Sequence, residues 1–403
     1  MKKYFFIIAL LFPVMLYAQK NWQWRGETRT GVYNETGLLK VWPADGPQML
    51  WKHEGLGEGF TSVAIAGGKV YVTGITDDKL MLYIFDLKGQ LLNKKEVGKE
   101  WTTNHVGTRC SVDVNDGKLY IGNSLGHMHC LDEATLNEVW KVDLIADYGG
   151  RNLRWGMTEN PLIAGDKIFL TPGGTTHNMI ALNKKTGALI WTTTGLGLNS
   201  AYCSPQFIGD QSIPMVVTCI ESNIIAYNAD TGEKLWSHPQ PNGNVTIHPN
   251  TPMYVDGMIF SITGYRGGAW LYRLKDGGKA AELVWKNDEM DCQMGGAIKV
   301  GDYVYASGHN FKGWYCVDWK TGETKYKANE IGRANVIFAD GMLYVYDEEK
   351  GTMNLVKPNP DKFDLVSSFK VTLGTGPHWA HPVIHQGVLY VRHGDALMAY
   401  KVK

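Results

Sequence analysis

Short runs of alternating apolar and polar residues, separated by glycine-rich turns, fill most of this 403-residue chain. The 3.6-residue period of an amphipathic helix is nearly absent, so the pattern predicts β-strands joined by tight turns. One run recurs, a Gly or Asp-Gly turn followed by an apolar-aromatic strand. It begins at residues 67, 116, 165, 256, 301, 340 and 386, with a degenerate copy at 209. Such a period of about 46 residues predicts eight similar units.

A second motif follows each strand pair in phase, and its clearest copy is YNADTGEKLW at 227–236. Asn228 can bond its own backbone and start a turn, and Gly232 supplies the positive φ that other residues resist. Four residues later comes Trp236, and Trp191 and Tyr326 occupy the same place in other repeats. We expect these rings to lie on outer strands and to dock between neighbouring units.

The two motifs together resemble the repeat of pyrroloquinoline-quinone-type (PQQ-like) propellers. This family includes quinoprotein alcohol dehydrogenases and the propeller lipoprotein of the outer-membrane β-barrel assembly machine. The resemblance covers residues 48–403 and implies an all-β, eight-bladed β-propeller with four-stranded antiparallel blades. The last repeat supplies only three strands, so we expect Trp51 and its neighbours to provide the fourth. Strands from both termini would then close the ring and remove its free edges.

The N-terminus has the pattern of a secretory signal. Lys2 and Lys3 precede an apolar stretch at 5–16 that is too short to span a bilayer as a helix, and Ala18 offers a small residue for cleavage. We therefore predict a signal peptide at 1–18, an irregular wrap outside the propeller at 19–47, and a propeller at 48–403. The protein would be periplasmic or secreted with no transmembrane segment in the mature chain, although an uncleaved membrane anchor is the alternative.

Charge and cysteine content narrow the function classes. Lys and Arg number 40 and Asp and Glu also number 40, so no net field attracts nucleic acid, and we expect a monomer without nucleic-acid partners. None of the six cysteines lies in a CxxC pair, which argues against a metal knuckle. Disulfides and buried free thiols both remain open. His127 and His129 share a strand face, as metal ligands could, but such pairs are more often hydrogen-bonded histidines.

The candidate binding residues lie in the stretches just before the first strand of each repeat, which we call the leading segments. In the propellers that this chain resembles, these segments open on one face around the central channel. Their arginines, amides and aromatic rings suit a carboxylate, a phosphate or a saccharide, whereas a merely water-filled channel is the competing interpretation. The predicted ligand-binding residues are Arg109, Arg154, Trp155, Glu159, Asn160, His248, Asn250, Arg333, Asn335, His378, Trp379 and His381.

Two departures from the family pattern weigh against redox chemistry. The quinoprotein dehydrogenases that the chain resembles hold their quinone against a ring formed by adjacent cysteines, and this sequence has no adjacent pair. They also bind calcium through a glutamate in a Gly-Gly-Ala-Glu loop, where Thr175 and Thr176 stand here.

We therefore predict no cofactor and no metal, and a binding protein or scaffold rather than an enzyme. It would take a small polar or saccharide-like ligand in the channel funnel, or a protein partner. The alternative is a PQQ-dependent alcohol dehydrogenase of the polyvinyl-alcohol type, which would use PQQ with calcium.

Overall fold

The computed structural model describes residues 21–243 and 247–403, which form eight four-stranded antiparallel sheets arranged as the blades of a propeller. The predicted signal peptide at 1–18 lies outside the described residues. The one helix among the described residues is a 3-10 turn at Asp276–Gly278. The fold class predicted from the sequence is therefore confirmed.

Blades 1 to 4 follow one another along the chain, each built from the channel outward. Their strands are Ala64–Ala66, Lys69–Thr76, Lys79–Asp86 and Leu91–Lys99 in blade 1, Asp113–Asn115, Lys118–Gly122, His127–Asp132 and Glu138–Asp143 in blade 2, Leu162–Ala164, Lys167–Leu170, His177–Asn183 and Leu189–Thr194 in blade 3, and Gln206–Ile208, Met215–Ile220, Asn223–Asn228 and Lys234–Pro239 in blade 4. A short extra pair joins Gly173–Gly174 to Leu198–Asn199.

Blades 5 to 8 repeat this order. Their strands are Met253–Val255, Met258–Thr263, Gly268–Lys275 and Ala280–Asn287 in blade 5, Ala297–Val300, Tyr303–Ser307, Trp314–Asp318 and Thr324–Ala328 in blade 6, Ala334–Ala339, Met342–Asp347, Thr352–Lys357 and Asp364–Lys370 in blade 7, and Val383–His385, Val388–His393, Ala396–Lys401 and Met49–His53 in blade 8.

Blade 8 closes the ring with strands from both ends of the chain, as predicted. Met49–His53 pairs antiparallel with Ala396–Lys401, and Trp51 faces Ala399 across the ladder. Because strands from the two ends of the chain share this sheet, the closure covers edges that would otherwise be free to pair with another chain.

Tryptophans on the outer strands dock against the next blade. The Trp191 indole Nε1 donates to the Ala229 carbonyl at 3.1 Å, and a Cβ added at Gly232 would lie 2.7 Å from the ring. The turn glycine is therefore needed for close packing as well as for its φ of 76°. The same arrangement recurs for Trp51 on Gly89, Trp140 on Gly187 and Trp285 on Gly322.

The N-terminal segment lies elsewhere than predicted. Residues 21–47 are irregular except for the strand Val32–Tyr33, but the part at 22–33 does not wrap the outside. Instead, Trp22 exchanges backbone hydrogen bonds with Val114 on the innermost strand of blade 2. Val32–Tyr33 adds in parallel to the innermost strand of blade 7. We call residues 22–33 the plug, because they fill the central channel from the face of the Asp-Gly turns.

Two arginines anchor the plug across the channel. Arg29, only 2% exposed, donates to the carbonyls of Asn160 and Pro161 beside blade 3. Arg25, 5% exposed, donates to the Val336 carbonyl of blade 7. Burying a guanidinium is costly unless acceptors surround it, and carbonyls of blade 7, of the segment before blade 3 and of Thr30 in the plug itself supply them. This explains why a polar segment could enter the channel.

Candidate functional site

The leading segments of all eight blades surround an open cavity of about 510 Å³, which we call the bowl. Its mouth lies on the face opposite to the Asp-Gly turns, and Trp24 of the plug contributes to its floor. The size is typical of sites for small molecules. The plug thus converts the propeller channel into a recess with one opening.

Half of the predicted binding residues line the bowl. They are Arg109, Trp155, Asn160, Arg333, Trp379 and His381. They come from blades 2, 3, 7 and 8, so the convergence of distant leading segments is a feature of the structure. Whether these residues bind a ligand stays a prediction.

The other six predicted residues do not line the bowl. Arg154 is exposed near the mouth with its guanidinium 4.9 Å from the Trp155 ring centroid. Glu159 turns to its own blade, where it accepts hydrogen bonds from the backbone N and the hydroxyl of Thr171. His248 is 1% exposed, and its backbone N donates to the Ala201 carbonyl. Asn250, Asn335 and His378 are described below.

Asparagines of the leading segments connect neighbouring blades. Asn250 Nδ2 donates to the Cys292 carbonyl at 2.8 Å, and its Oδ1 accepts from Gly296 N at 3.1 Å. Asn335 Nδ2 lies 3.4 Å from the Ala380 carbonyl. Asn160, although it borders the bowl, likewise accepts from Ser111 N at 2.6 Å. These amides satisfy backbone polar groups between blades. Their role is therefore structural, as expected if the leading segments only line a water-filled channel.

His378 belongs to a stacked histidine pair beside the rim. Its ring lies 3.7 Å from that of His393, and its Nδ1 contacts the Tyr346 hydroxyl at 2.5 Å. Burial and the neighbouring His393 lower the pKa of His378 to about 4. It is therefore neutral near pH 7 and held by its neighbours rather than aimed at the bowl.

Six aromatic side chains of the bowl wall and floor, histidines included, are not among the twelve predicted binding residues. They are Trp24, Phe60, His105, Tyr202, Tyr265 and His309. Tyr265 and His309 come from loops between the second and third strands of blades 5 and 6. In the sequence, only GYRGGAW at 264–270 pointed to one of these loops, and it predicted a tight loop between strands.

Three residues of this wall have positive φ, as do other non-glycine residues elsewhere in the described chain. His105, Tyr202 and Tyr265 have φ values of 43°, 67° and 57°, in the left-handed region that residues other than glycine rarely adopt. Each such residue costs of order 1 kcal/mol or more, and clusters of them mark ligand sites more often than structural positions. Three aromatic residues with strained backbones in one recess therefore point to a function for the recess.

A buried carboxylate fixes the wall formed by blades 5 and 6. Asp291 accepts hydrogen bonds from the backbone N–H groups of Arg266, His309, Asn310 and Phe311. It thereby holds both loops that carry Tyr265 and His309. His309 Nδ1 accepts from Tyr265 N at 3.1 Å, so its Nε2 carries the proton in the neutral ring.

The two arginines of the bowl wall already have partners. Arg109 donates to the carbonyls of Asn104, His105 and Gly107 and to the Ser124 hydroxyl. Arg333 Nη2 lies 3.1 Å from Glu348 Oε1. The same carboxylate accepts from the Trp379 indole, and burial raises the pKa of Glu348. These guanidinium groups thus hold the bowl in shape.

The floor is held by a contact between the plug and blade 8. Arg25 Nη1 lies 2.9 Å from His381 Nδ1, and His381 Nε2 lies 3.0 Å from the Met294 carbonyl. Burial first, and then the Arg25 charge, lower the pKa of His381 well below its ordinary value. The neutral ring accepts from Arg25 and donates to Met294, so the floor is satisfied without an added ligand.

Three acidic residues that could in principle replace the missing calcium ligand, Glu159, Asp288 and Asp291, do not share a site. Glu159 is engaged by Thr171, Asp288 pairs with Lys286 at 2.6 Å, and Asp291 is saturated by backbone N–H groups. In residues 21–243 and 247–403, no group of three His, Cys, Asp or Glu side chains is placed to hold a metal ion. These residues do not fit a calcium-quinone centre of the kind that the fold family contains.

The remaining candidate ligands are also accounted for. His127 Nε2 lies 3.2 Å from Asp143, whereas His129 Nδ1 lies 2.9 Å from Glu138, so each ring has its own carboxylate. All six cysteines are free and buried, which settles the alternative between disulfides and buried thiols in favour of thiols.

Comparisons with known proteins agree with the architecture. A family model described as "Outer membrane protein assembly factor BamB" matches residues 124–359. A curated protein of that name from Shewanella oneidensis is 28% identical over 183 residues, which are 43% of this chain and 43% of that protein. A quinoprotein ethanol dehydrogenase from Pseudomonas putida is 25% identical over 151 residues, 34% of this chain and 24% of that protein. The matched regions thus span less than half of these curated relatives.

Solved structures show the same fold at low identity. BamB from Moraxella catarrhalis has a TM-score of 0.64 at 14% identity, covering 88% of this chain and 98% of that chain. The quinohemoprotein alcohol dehydrogenase from Comamonas testosteroni has a TM-score of 0.65 at 12% identity, covering 93% of this chain and 79% of that chain. At such identity the likeness concerns the fold alone, and function has to be argued from the site.

Proposed function

The chain belongs to the PQQ-like propeller family described as outer membrane protein assembly factor BamB, and from this premise we propose that it is a binding protein whose bowl holds a small polar ligand. The observation that carries the proposal is the strained backbone of His105, Tyr202 and Tyr265, whose side chains line one cavity. At Tyr265 the positive φ also suits the hairpin turn that it shares with Arg266. A ligand that needs these rings at fixed positions accounts for aromatic residues in place of glycine.

The plug supports this role over a conducting channel. Arg25 and Arg29 fix the plug to opposite sides of the ring, so a ligand enters and leaves by the mouth alone. The bowl wall comes from eight rigid blades, and the hydrogen bonds of Asp291 hold its loops in place. A preorganised recess of this kind loses little entropy on binding.

We also propose that no quinone takes part. Glu159 and Asp291, the acids nearest to a metal role, are occupied by Thr171 and by backbone N–H groups. Adding PQQ with calcium to the purified protein should give no dye-linked oxidation of alcohols, including polyvinyl alcohol. Saturable activity at one quinone per chain would overturn this part of the proposal.

Location and protein partners follow from the family as further proposals. In the part of the chain that the structure describes, no helix is sufficiently long and apolar to cross a bilayer. With the predicted signal peptide, this favours an exported protein that acts in the periplasm. The match to a protein named as an outer membrane assembly factor also favours a scaffold function, in which a rim of the propeller contacts a protein partner.

The test is capture of the ligand. The protein is purified from the periplasm under native conditions and examined by native mass spectrometry for bound small molecules, beside Trp155→Ala and Arg333→Ala. We expect a bound species on the wild type that both variants lose while their thermal stability changes little. Arg273→Ala, on an outward-facing strand position of blade 5, serves as the control. A species retained equally by all four proteins would place binding outside the bowl and refute the proposal.

A further inference from the structure

The aromatic rings of the bowl form tilted walls rather than a slot. Trp155 and Tyr202 lie 6.2 Å apart with an interplanar angle of 47°. Across the channel, Phe60 and Trp379 lie 4.9 Å apart at 52°. A planar ligand such as a nucleobase stacks best on a face parallel to its own, so walls inclined in several directions favour a ring with some thickness.

Charge recognition has little part inside the bowl. The guanidinium of Arg109 donates to three carbonyls and a hydroxyl. The charge of Arg333 is compensated by Glu348, although its Nε has no hydrogen-bond partner among the described residues. A carboxylate or phosphate ligand would have to break these bonds before gaining its own. The wall arginines therefore favour a ligand without charge.

The neutral polar groups, in contrast, have unused hydrogen-bonding capacity. Tyr265 Oη accepts from Gln293 Nε2 at 2.8 Å, and Tyr202 Oη accepts from Trp155 N at 3.4 Å. Each hydroxyl hydrogen therefore still lacks an acceptor among the described residues. Gln293 Oε1 is buried with no donor from the part of the chain that the structure describes. Two hydroxyl donors thus belong to side chains that line a single recess of aromatic rings, whereas Gln293 Oε1 is buried in its wall.

We propose that the ligand of the bowl is a neutral glycan whose terminal pyranose ring packs on Trp155 and Trp379 and accepts hydrogen bonds from Tyr202 and Tyr265. The inference rests on the proposed binding function and names its ligand class. A pyranose has an apolar C–H face for an aromatic wall, and its hydroxyl and ring oxygens accept hydrogen bonds. Those properties match the tilted rings, the compensated charges and the two hydroxyl donors of this bowl.

The experiment is a binding screen on the full mature protein by saturation-transfer-difference NMR, with affinities from calorimetry. The probes are neutral tetrasaccharides (cello-, malto-, manno- and xylotetraose), a galacturonate tetramer and adenosine. We expect at least one neutral tetrasaccharide to bind, with the strongest transfer at the protons of one terminal ring. Trp155→Ala and Trp379→Ala should each weaken that binding tenfold or more. Tyr265→Phe should weaken it about threefold to tenfold, because it removes one hydrogen bond and keeps the ring.

Controls separate this inference from the function on which it rests. Tyr303→Phe, at the Asp-Gly face of blade 6, should leave affinity unchanged, and Trp155→Phe should restore part of what Trp155→Ala loses. If galacturonate or adenosine binds and only the bowl variants lose it, the neutral-glycan inference fails and the binding function stands. If a glycan binds equally to wild type and bowl variants, both fail. If no neutral tetrasaccharide binds, the inference fails, and native mass spectrometry of the purified protein alone decides the function.

Discussion

At the scale of single residues, the buried carboxyl of Glu100 shows how burial couples folding to pH. Glu100 is 3% exposed, and its Oε1 accepts from the backbone N of Trp101 and Ser124. Its other oxygen is buried and has no partner among the described residues. Burial raises the pKa of Glu100 from an ordinary 4.5 to about 7, so the folded protein favours the neutral carboxyl.

The sign of the pH effect follows from this direction. Because the folded-state pKa lies above the unfolded one, the stability from Glu100 is fully present below about pH 4.5 and is lost as the pH rises through about 7. For an isolated group this is roughly 3 kcal/mol of unfolding free energy. Glu100→Gln should remove that dependence, so that wild type loses stability relative to the variant between pH 4.5 and 8. Urea denaturation at both pH values measures it.

Glu282→Gln is the matched control for this prediction. Glu282 is exposed and its pKa is lowered by a hydrogen bond from Lys275, so it titrates below the window of interest. Its replacement should leave the difference between pH 5 and pH 8 as in wild type. An unchanged pH profile in Glu100→Gln would mean that the buried carboxyl is ionised throughout.

At the scale of elements, the contact between an outer-strand tryptophan and the next turn glycine joins one blade to another. Trp191→Ala and Trp236→Ala should each cost about 3–5 kcal/mol in unfolding free energy, because both rings are buried between blades. Trp191 should be the costlier loss, since its indole N–H bonds the Ala229 carbonyl, whereas that of Trp236 has no partner in the described chain. Chemical denaturation that gives under about 1 kcal/mol for both would contradict the docking.

The contact can also be tested at the turn glycine, by comparing Gly232→Ala with Gly257→Ala. Gly232 and Gly257 have nearly equal φ values, 76° and 78°, so an alanine is strained to a similar degree at each. Only at Gly232 would the new Cβ meet a neighbour, the Trp191 ring at 2.7 Å, whereas nothing lies within 4 Å at Gly257. We therefore expect Gly232→Ala to destabilise by at least about 1 kcal/mol more than Gly257→Ala.

A double variant tests whether the clash is the cause. In Trp191→Ala the ring is gone, so adding Gly232→Ala should cost about as much as Gly257→Ala alone. Equal costs for the two glycine substitutions in the wild-type background would show that backbone strain alone fixes these turns.

The blades were predictable because the information for each is local. Turn glycines, the Asn or Asp that starts a turn, and the tryptophan four residues later lie within one short motif, and the Gly or Asp-Gly strand motif occurs eight times. The closing strand with Trp51 was predictable because one repeat visibly lacked a strand. Asn250 and Glu159 were wrongly predicted to line the channel, because the direction of their side chains is not encoded in a local motif. The sequence shows that a polar residue precedes an inner strand, but not whether its side chain faces the channel, the next blade or its own sheet.

At the scale of the whole molecule, the plug is the feature that sequence patterns could not reveal. Arg25 meets Val336 across 311 residues, and Arg29 meets Pro161 across 132. Nothing in WQWRGETRTGVYN is periodic, and its polar composition predicts an exposed segment. Only the assembled ring supplies the inward-facing carbonyls that make burial of two guanidinium groups favourable.

The plug also decides whether the bowl has a floor, and this leads to the last prediction. Arg25→Ala with Arg29→Ala removes the guanidinium hydrogen bonds to blades 3 and 7 while leaving every blade sequence intact. We expect the far-UV spectrum of the β-sheets to persist, because the ring closes through Met49–His53 and not through the plug. Residues 22–33 should detach, so that limited chymotrypsin digestion cuts at Trp22 and Trp24, which wild type protects.

Loss of the floor should also weaken ligand binding at the bowl, since Trp24 and His381 lose the arginine that positions them. Thr28→Ala, at an exposed position of the plug, should behave as wild type in both assays. If the double variant resists chymotrypsin as well as wild type does, the arginines do not hold the plug. If the plug detaches and ligand affinity stays the same, the bowl is formed by the blades alone and the floor has no part in recognition.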